Sequence, residues 1–151
     1  MRYQARSTRA ALLILLFSAV PAFAASFVAD LDPASYDNST RAAVQGEGQV
    51  TGTLTGSTLT LSGHFSGLSS SATRARLGQV PVLGMPASSF FADLTITSGA
   101  SGTISGTITL TPDQAASLNN KALFIRIDAV TTTPDGSLWG WFLPVTTRSA
   151  R

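Results

Sequence analysis

From Val44 to Leu54 the chain alternates. Val44, Gly46, Gly48, Val50, Gly52 and Leu54 are small or apolar, and Gln45, Glu47, Gln49, Thr51 and Thr53 between them are polar. Successive side chains of a strand point to opposite faces of a sheet, so this period of two predicts a half-buried strand. From Thr58 to Phe65 the phase inverts, with Leu59, Leu61 and Phe65 on one side and Thr58, Thr60, Ser62 and His64 on the other. Gly56-Ser57 between the runs is the glycine-first pair suited to a two-residue type II′ turn, so the two runs are expected to form a hairpin.

The same reading extends along the chain. Phe90, Ala92, Leu94 and Ile96 alternate with Phe91, Asp93, Thr95 and Thr97, and Ile104, Ile108 and Leu110 alternate with Thr103, Ser105, Thr107 and Thr109. These runs predict a second hairpin connected through Ser98 to Gly102. Phe27, Ala29 and Leu31 predict a first strand, Leu123, Ile125 and Ile127 opposite Arg126 and Asp128 a later one, and Leu138 to Leu143 a short aromatic strand after the turn Thr133-Pro134-Asp135-Gly136. Thr111-Pro112 opens the one helical segment, because threonine caps a helix and proline suits its first position. Asp32 to Ala43 and Ser69 to Ser89 carry little pattern, and the second reads as a long surface connection. About seven short strands separated by turns fit an antiparallel sandwich or small barrel; an immunoglobulin-like or Greek-key β-sandwich with one short helix is the expected architecture.

The first residues follow a different logic. Met1 to Arg9 holds three arginines and no acid, Ala10 to Val20 is apolar except for Ser18, and Pro21-Ala22-Phe23-Ala24 ends in a small-x-small pattern. This is the layout of a cleaved signal peptide, residues 1–24, with cleavage expected after Ala24. The eleven residues of the apolar run fall well short of the ~20 that span a bilayer as a helix. The mature part, residues 25–151, is expected to be one domain, periplasmic or secreted, with no membrane span. Three of the ten basic residues leave with the leader, so the remaining seven against eight acids give a formal charge of −1. A basic nucleic-acid binder is not expected from that balance. The absence of cysteine removes disulfides and lipidation at the cleavage point, leaving the hydrophobic core to hold the fold.

Few residues suggest chemistry. His64 is the one histidine and falls with Thr60 and Ser62 on a polar face, where a solvated or cross-strand-paired imidazole is the ordinary reading. With no cysteine beside it, no transition-metal site and no cofactor are expected. There is no Gly-x-Ser-x-Gly elbow for a serine nucleophile. Asp30 and Asp32 share a strand face and, with His64, form the alternative of an exported hydrolase or metal-dependent enzyme. Arg74 and Arg76, at alternate positions of an extended segment, either solubilise a surface loop or present two guanidiniums to one side for an anionic partner. Trp139 and Trp141 share a face opposite Leu138, Gly140 and Phe142, and offer either packing or an edge-strand platform for another subunit. Asn38-Ser39-Thr40, Leu143-Pro144-Val145-Thr146 and Gly46-x-Gly48 match short motifs without the context those motifs need.

Four pieces, taken in order, resemble one family. They are Phe27-Val28-Ala29-Asp30-Leu31, Leu59-Thr60-Leu61-Ser62-Gly63-His64-Phe65-Ser66-Gly67-Leu68, Thr109-Leu110-Thr111, and Pro134-Asp135-Gly136 with Gly140. Together they resemble the CHRD domain, first described in chordin and widespread in exported bacterial proteins. The His-x-His pair usual in that family falls on Arg74-Ala75-Arg76 here, so the resemblance brings no metal site with it. It implies a non-enzymatic binding or structural module with protein partners, and Arg74, Arg76, Trp139 and Trp141 are the residues expected to meet them.

Overall fold

The computed structural model describes residues 24–35, 37–81, 89–134 and 136–146. The expected leader up to Phe23, and Asp135 of the last turn, lie outside these residues. The strands are β1 (Ala24–Pro33), β2 (Glu47–Thr55), β3 (Thr58–Ser66), β4 (Ala72–Gln79), β5 (Phe90–Ile96), β6 (Gly102–Thr109), β7 (Leu123–Ala129), β8 (Leu138–Trp141) and β9 (Leu143–Pro144), with helix α1 (Pro112–Asn119) between β6 and β7.

The local elements follow from the sequence. Thr55 pairs with Thr58 across Gly56-Ser57, and Gly56 takes φ +61°, a conformation that costs glycine little and suits the first turn position. Thr111 caps α1 in a reciprocal capping box with Gln114, which satisfies backbone N–H groups that the first helical turn leaves free. At the other end, the N–H of Lys121 donates to Leu118 and that of Ala122 to Ser117, with Lys121 at φ +60°. This left-handed ending meets the orphan carbonyls of the last turn.

The strands run in the order β2-β3-β6-β5-β4-β7-β8-β1, and β1 pairs back onto β2. Every pairing is antiparallel, so the sheet closes into an eight-strand barrel, with β9 continuing along β1 beyond β8. The expected immunoglobulin-like or Greek-key sandwich is therefore corrected. A sandwich leaves its outer strands unpaired on one side, whereas β1 lies against β2 from Ala24 to Leu31 and against β8 and β9 on its other side. Two-fold alternation fixes which side chains face inward but is blind to whether the sheet curls onto itself.

A second correction concerns the described part of Ser69 to Ser89, residues 82–88 lying outside it. In place of a long connection, it contains β4, which pairs with β5 on one side and β7 on the other. Its pattern is hidden by a register shift between Ala72 and Arg74, after which Ala75 and Leu77 point inward on the opposite phase from Ala72. A bulge of this kind breaks alternation without ending the strand.

Phe27, Ala29, Leu31, Val50, Leu59, Leu61, Phe65, Ala75, Leu77, Ile104, Leu123, Ile125, Ile127, Leu138 and Phe142 fill the barrel. Outside, Thr51, Thr53, Thr60, Ser62, Thr103, Ser105 and Thr107 are exposed. An apolar interior under a hydroxyl-rich exterior is the reverse of the lipid-facing pattern of a membrane barrel. No helix of the described residues is long and apolar enough to cross a membrane.

Candidate functional site

One sector of the exterior departs from the hydroxyl-rich pattern. On β4, β7 and β8 the outward residues are Arg74 and Arg76, then Phe124, Arg126 and Asp128, then Trp139 and Trp141. Cross-strand register sets them in rows: Arg76 faces Arg126, which faces Trp139, while Gly78 faces Phe124, which faces Trp141. Phe124 lies directly over Gly78, where any β-carbon would collide with its ring. That close approach is what a strand glycine permits.

Phe90 joins the group through an irregularity. Leu77 pairs with Ala92 but Gly78 pairs with Phe90, so Phe91 is the extra residue of a bulge and Phe90 swings to the outer face. Its ring lies 5.7 Å from that of Phe124; Phe124 lies 6.1 Å from Trp141, and Trp141 5.2 Å from Trp139, all tilted. These spacings are in the favourable range for offset aromatic pairs. The Arg76 guanidinium sits 3.9 Å from the Phe90 ring centroid and that of Arg126 at 5.5 Å, within reach of the ring's negative face.

Asp128 ties the arginines together. Its Oδ2 accepts from Arg76 Nη2 and its Oδ1 from Arg126 Nε, each at 2.7 Å. The three side chains are 21%, 14% and 13% exposed for Arg76, Arg126 and Asp128, so the triad is largely out of water. Such charge-assisted bonds are shorter and stronger than neutral ones. Arg74 is different: it meets Asp93 at 3.6 Å with both side chains well exposed, at 57% and 71%. The apolar stripe runs on from Trp139 and Trp141 through the outward Leu143 and Val145, 42% and 47% exposed.

The four residues singled out from the sequence, Arg74, Arg76, Trp139 and Trp141, therefore share one barrel face. Two features of the expectation change. Arg74 and Arg76 stand on β4 rather than on a loop, and Arg76 is held by Asp128. Nor are the tryptophans on an edge strand, because β8 is hydrogen-bonded between β7 and β1. Phe90, Phe124, Arg126 and Asp128 escaped notice as site residues. The alternation of β7 already set Arg126 and Asp128 on one side; nothing local shows that this side meets the arginines of β4.

The residues of the enzymatic alternative divide. Asp30, Gln49 and His64 stand side by side on β1, β2 and β3, and line one shallow groove with Glu47 and Ser66. Asp30 Oδ1 accepts a hydrogen bond from Gln49 Nε2 at 2.8 Å. Asp32 is outside this groove, paired with Trp139 instead. Among the described residues no three histidine or acidic side chains gather as metal ligands. On the exposed turn after β1, the Asp37 carboxylate accepts from the Ser39 hydroxyl, from the hydroxyl and N–H of Thr40, and from the N–H of Ser39. These bonds, the Ser39 hydroxyl foremost, lower its pKa from 3.8 to about 2. The turn keeps their full support above the ordinary carboxylate value and loses it as pH falls through about 2. Comparison with known protein families, with curated proteins and with solved structures finds no match to this chain.

Proposed function

We propose that the chain is an exported, non-enzymatic module that binds a protein partner through the outer face of β4, β7 and β8. The observation that carries this reading is the convergence of Arg74, Arg76, Trp139 and Trp141, which come from distant parts of the sequence, on one sector of a barrel whose β2, β3 and β6 exterior is rich in threonine and serine. Tryptophan and arginine are the side chains most enriched at the energetic centres of protein interfaces. Here they are flanked by exposed Leu143 and Val145, which widen the apolar area. The resemblance to CHRD domains supports the same class of partner, and the leader-like first residues support export.

Trp139 and Trp141 are the chain's two tryptophans, so emission excited selectively at tryptophan reports, within this chain, on this face alone. Processed protein is titrated with the partner isolated from envelope fractions, alongside Trp139→Ser, Arg74→Glu and, on the opposite side, Thr60→Lys of β3. Far-ultraviolet circular dichroism confirms that each variant keeps its sheet. The expected result is a change in emission on binding, with affinity about 30-fold weaker in Trp139→Ser, as for loss of a central aromatic anchor worth about 2 kcal/mol. Arg74→Glu is expected to slow association more than it speeds dissociation, since a rim charge acts mainly by steering. Unchanged affinity in Trp139→Ser, with weakening in Thr60→Lys, overturns the assignment of the face.

A further inference from the structure

One row of outward side chains is ordered by charge. Arg76 on β4 pairs with Arg126 on β7, Arg126 with Trp139 on β8, and Trp139 with Asp32 on β1. Leu31 is the partner of Gly48, so the residue that follows Asp32 in the row is Glu47 of β2. The row therefore runs from two arginines through an indole to two carboxylates. Asp128 binds both arginines, and one carboxylate against two guanidiniums leaves a formal +1 on that flank. On the other flank Asp32 and Glu47 are both exposed, a formal −2, and neither belongs to a salt bridge among the described residues. Arg74 and Asp93, farther out, cancel each other. Between the flanks the line is apolar, because Trp139, Trp141, Leu143 and Val145 follow one another at period two along β8 and β9.

A face with opposite charges on the two sides of an apolar line is complementary to itself. Half a turn about an axis lying along that line, in the plane of contact, sets the arginine flank of one copy against the acid flank of the other, and does so twice. Half a turn about the perpendicular axis in that plane sets like charge on like, which is unfavourable. We infer that the protein partner of this face is a second copy of the chain, related by a two-fold axis along β8 and β9. Trp139, Trp141, Leu143 and Val145 meet their equivalents on the axis, and the arginines held by Asp128 in each copy lie on the side of Asp32 and Glu47 of the other. This rests on the protein-binding reading above and names its partner. The outside of a barrel is convex, so the contact is a strip of the small class that pairs transiently, and the dimer depends on concentration.

The test is sedimentation equilibrium of the processed protein from micromolar to millimolar concentration. The average mass is expected to climb from one chain toward two, and added salt to shift the rise to higher concentration. Trp139→Ser and Asp32→Arg are each expected to weaken self-association at least about tenfold, and Thr60→Lys on the opposite side to leave it unchanged, with circular dichroism confirming the sheet in every variant. In a mixture of labelled and unlabelled chains, isotope-filtered Overhauser contacts are expected to join Leu143 of one copy to Leu143 of the other. A single-chain mass throughout, pairing indifferent to Asp32→Arg, or contacts joining Trp139 of one copy to Val145 of the other overturns the inference. The two readings fail separately. If the processed protein stays single at millimolar concentration yet Trp139→Ser still weakens binding of the partner from envelope fractions, only self-pairing is lost; if neither binding of that partner nor self-association responds to Trp139→Ser, the tryptophan face itself is lost.

Discussion

Asp128→Ala is expected to lower the unfolding free energy by about 3 kcal/mol, at the low end of the ~3–5 kcal/mol that follows when a buried ion pair loses one member. The carboxylate holds Arg76 and Arg126 together at 2.7 Å on each side. Its removal leaves two neighbouring guanidiniums, both mostly shielded from water, without their shared counter-charge. The Arg76 Nε already lacks a partner among the described residues, so the remaining donors have little to turn to. The arginines must then move toward solvent and leave the Phe90 ring, loosening the aromatic row from Phe90 through Phe124 to Trp141. Denaturant unfolding measures the first effect, and a red shift of tryptophan emission in the folded variant measures the second. Asp128→Asn retains the shape and one acceptor, and is expected to cost less than the alanine variant. Equal stability of Asp128→Ala and the unaltered protein would show that the triad is solvated and not a structural member of the face.

Truncating Phe142 is expected to be at least as damaging, with Phe142→Ala costing about 3–5 kcal/mol. Phe142 is fully buried between β8 and β9, its N–H donates to the Leu123 carbonyl, and its ring reaches across the interior toward Gly52 of β2. It thus joins the strands on either side of β1, where the barrel closes. An alanine there leaves a cavity bounded by paired strands that cannot collapse into it, the condition under which large-to-small changes are most costly. Against a typical domain stability of roughly 5–15 kcal/mol, this is a large fraction. A cost below about 1 kcal/mol, the scale of a tolerated core swap, would contradict the packing described for the closure.

These two positions also show what the sequence displays and what it hides. The β2–β3 hairpin is legible because alternation is unbroken on both sides of a glycine-first pair, and α1 because Thr111, Pro112 and Gln114 are each suited to their places. Both signals are local. Closure of the barrel is not, since Phe27, Ala29 and Leu31 announce an inward face of β1 without saying that β2 and β8 both flank it. β4 is obscured by the bulge after Ala72 and by an inner face made mostly of alanine, which carries little apolar contrast. At the candidate site, the shared orientation of Arg74 with Arg76, and of Trp139 with Trp141, follows from period two alone. Their meeting depends on β7 lying between β4 and β8 with its own Phe124, Arg126 and Asp128 turned outward, a long-range pairing that no local pattern encodes. Phe90 is misread for a smaller reason: the extra residue at Phe91 reverses its side.

Whether the arginines and tryptophans share one face of a closed barrel is tested most directly by nuclear Overhauser spectroscopy on the processed protein. The expected spectrum connects the Trp141 indole to the Phe124 ring and the Phe124 ring to that of Phe90, and links the backbone of Val28 to Thr51 on one side and Leu143 on the other. Contacts from Val28 to Thr51 alone, with the tryptophan and Phe90 signals unconnected through Phe124, would contradict both the closure and the shared face.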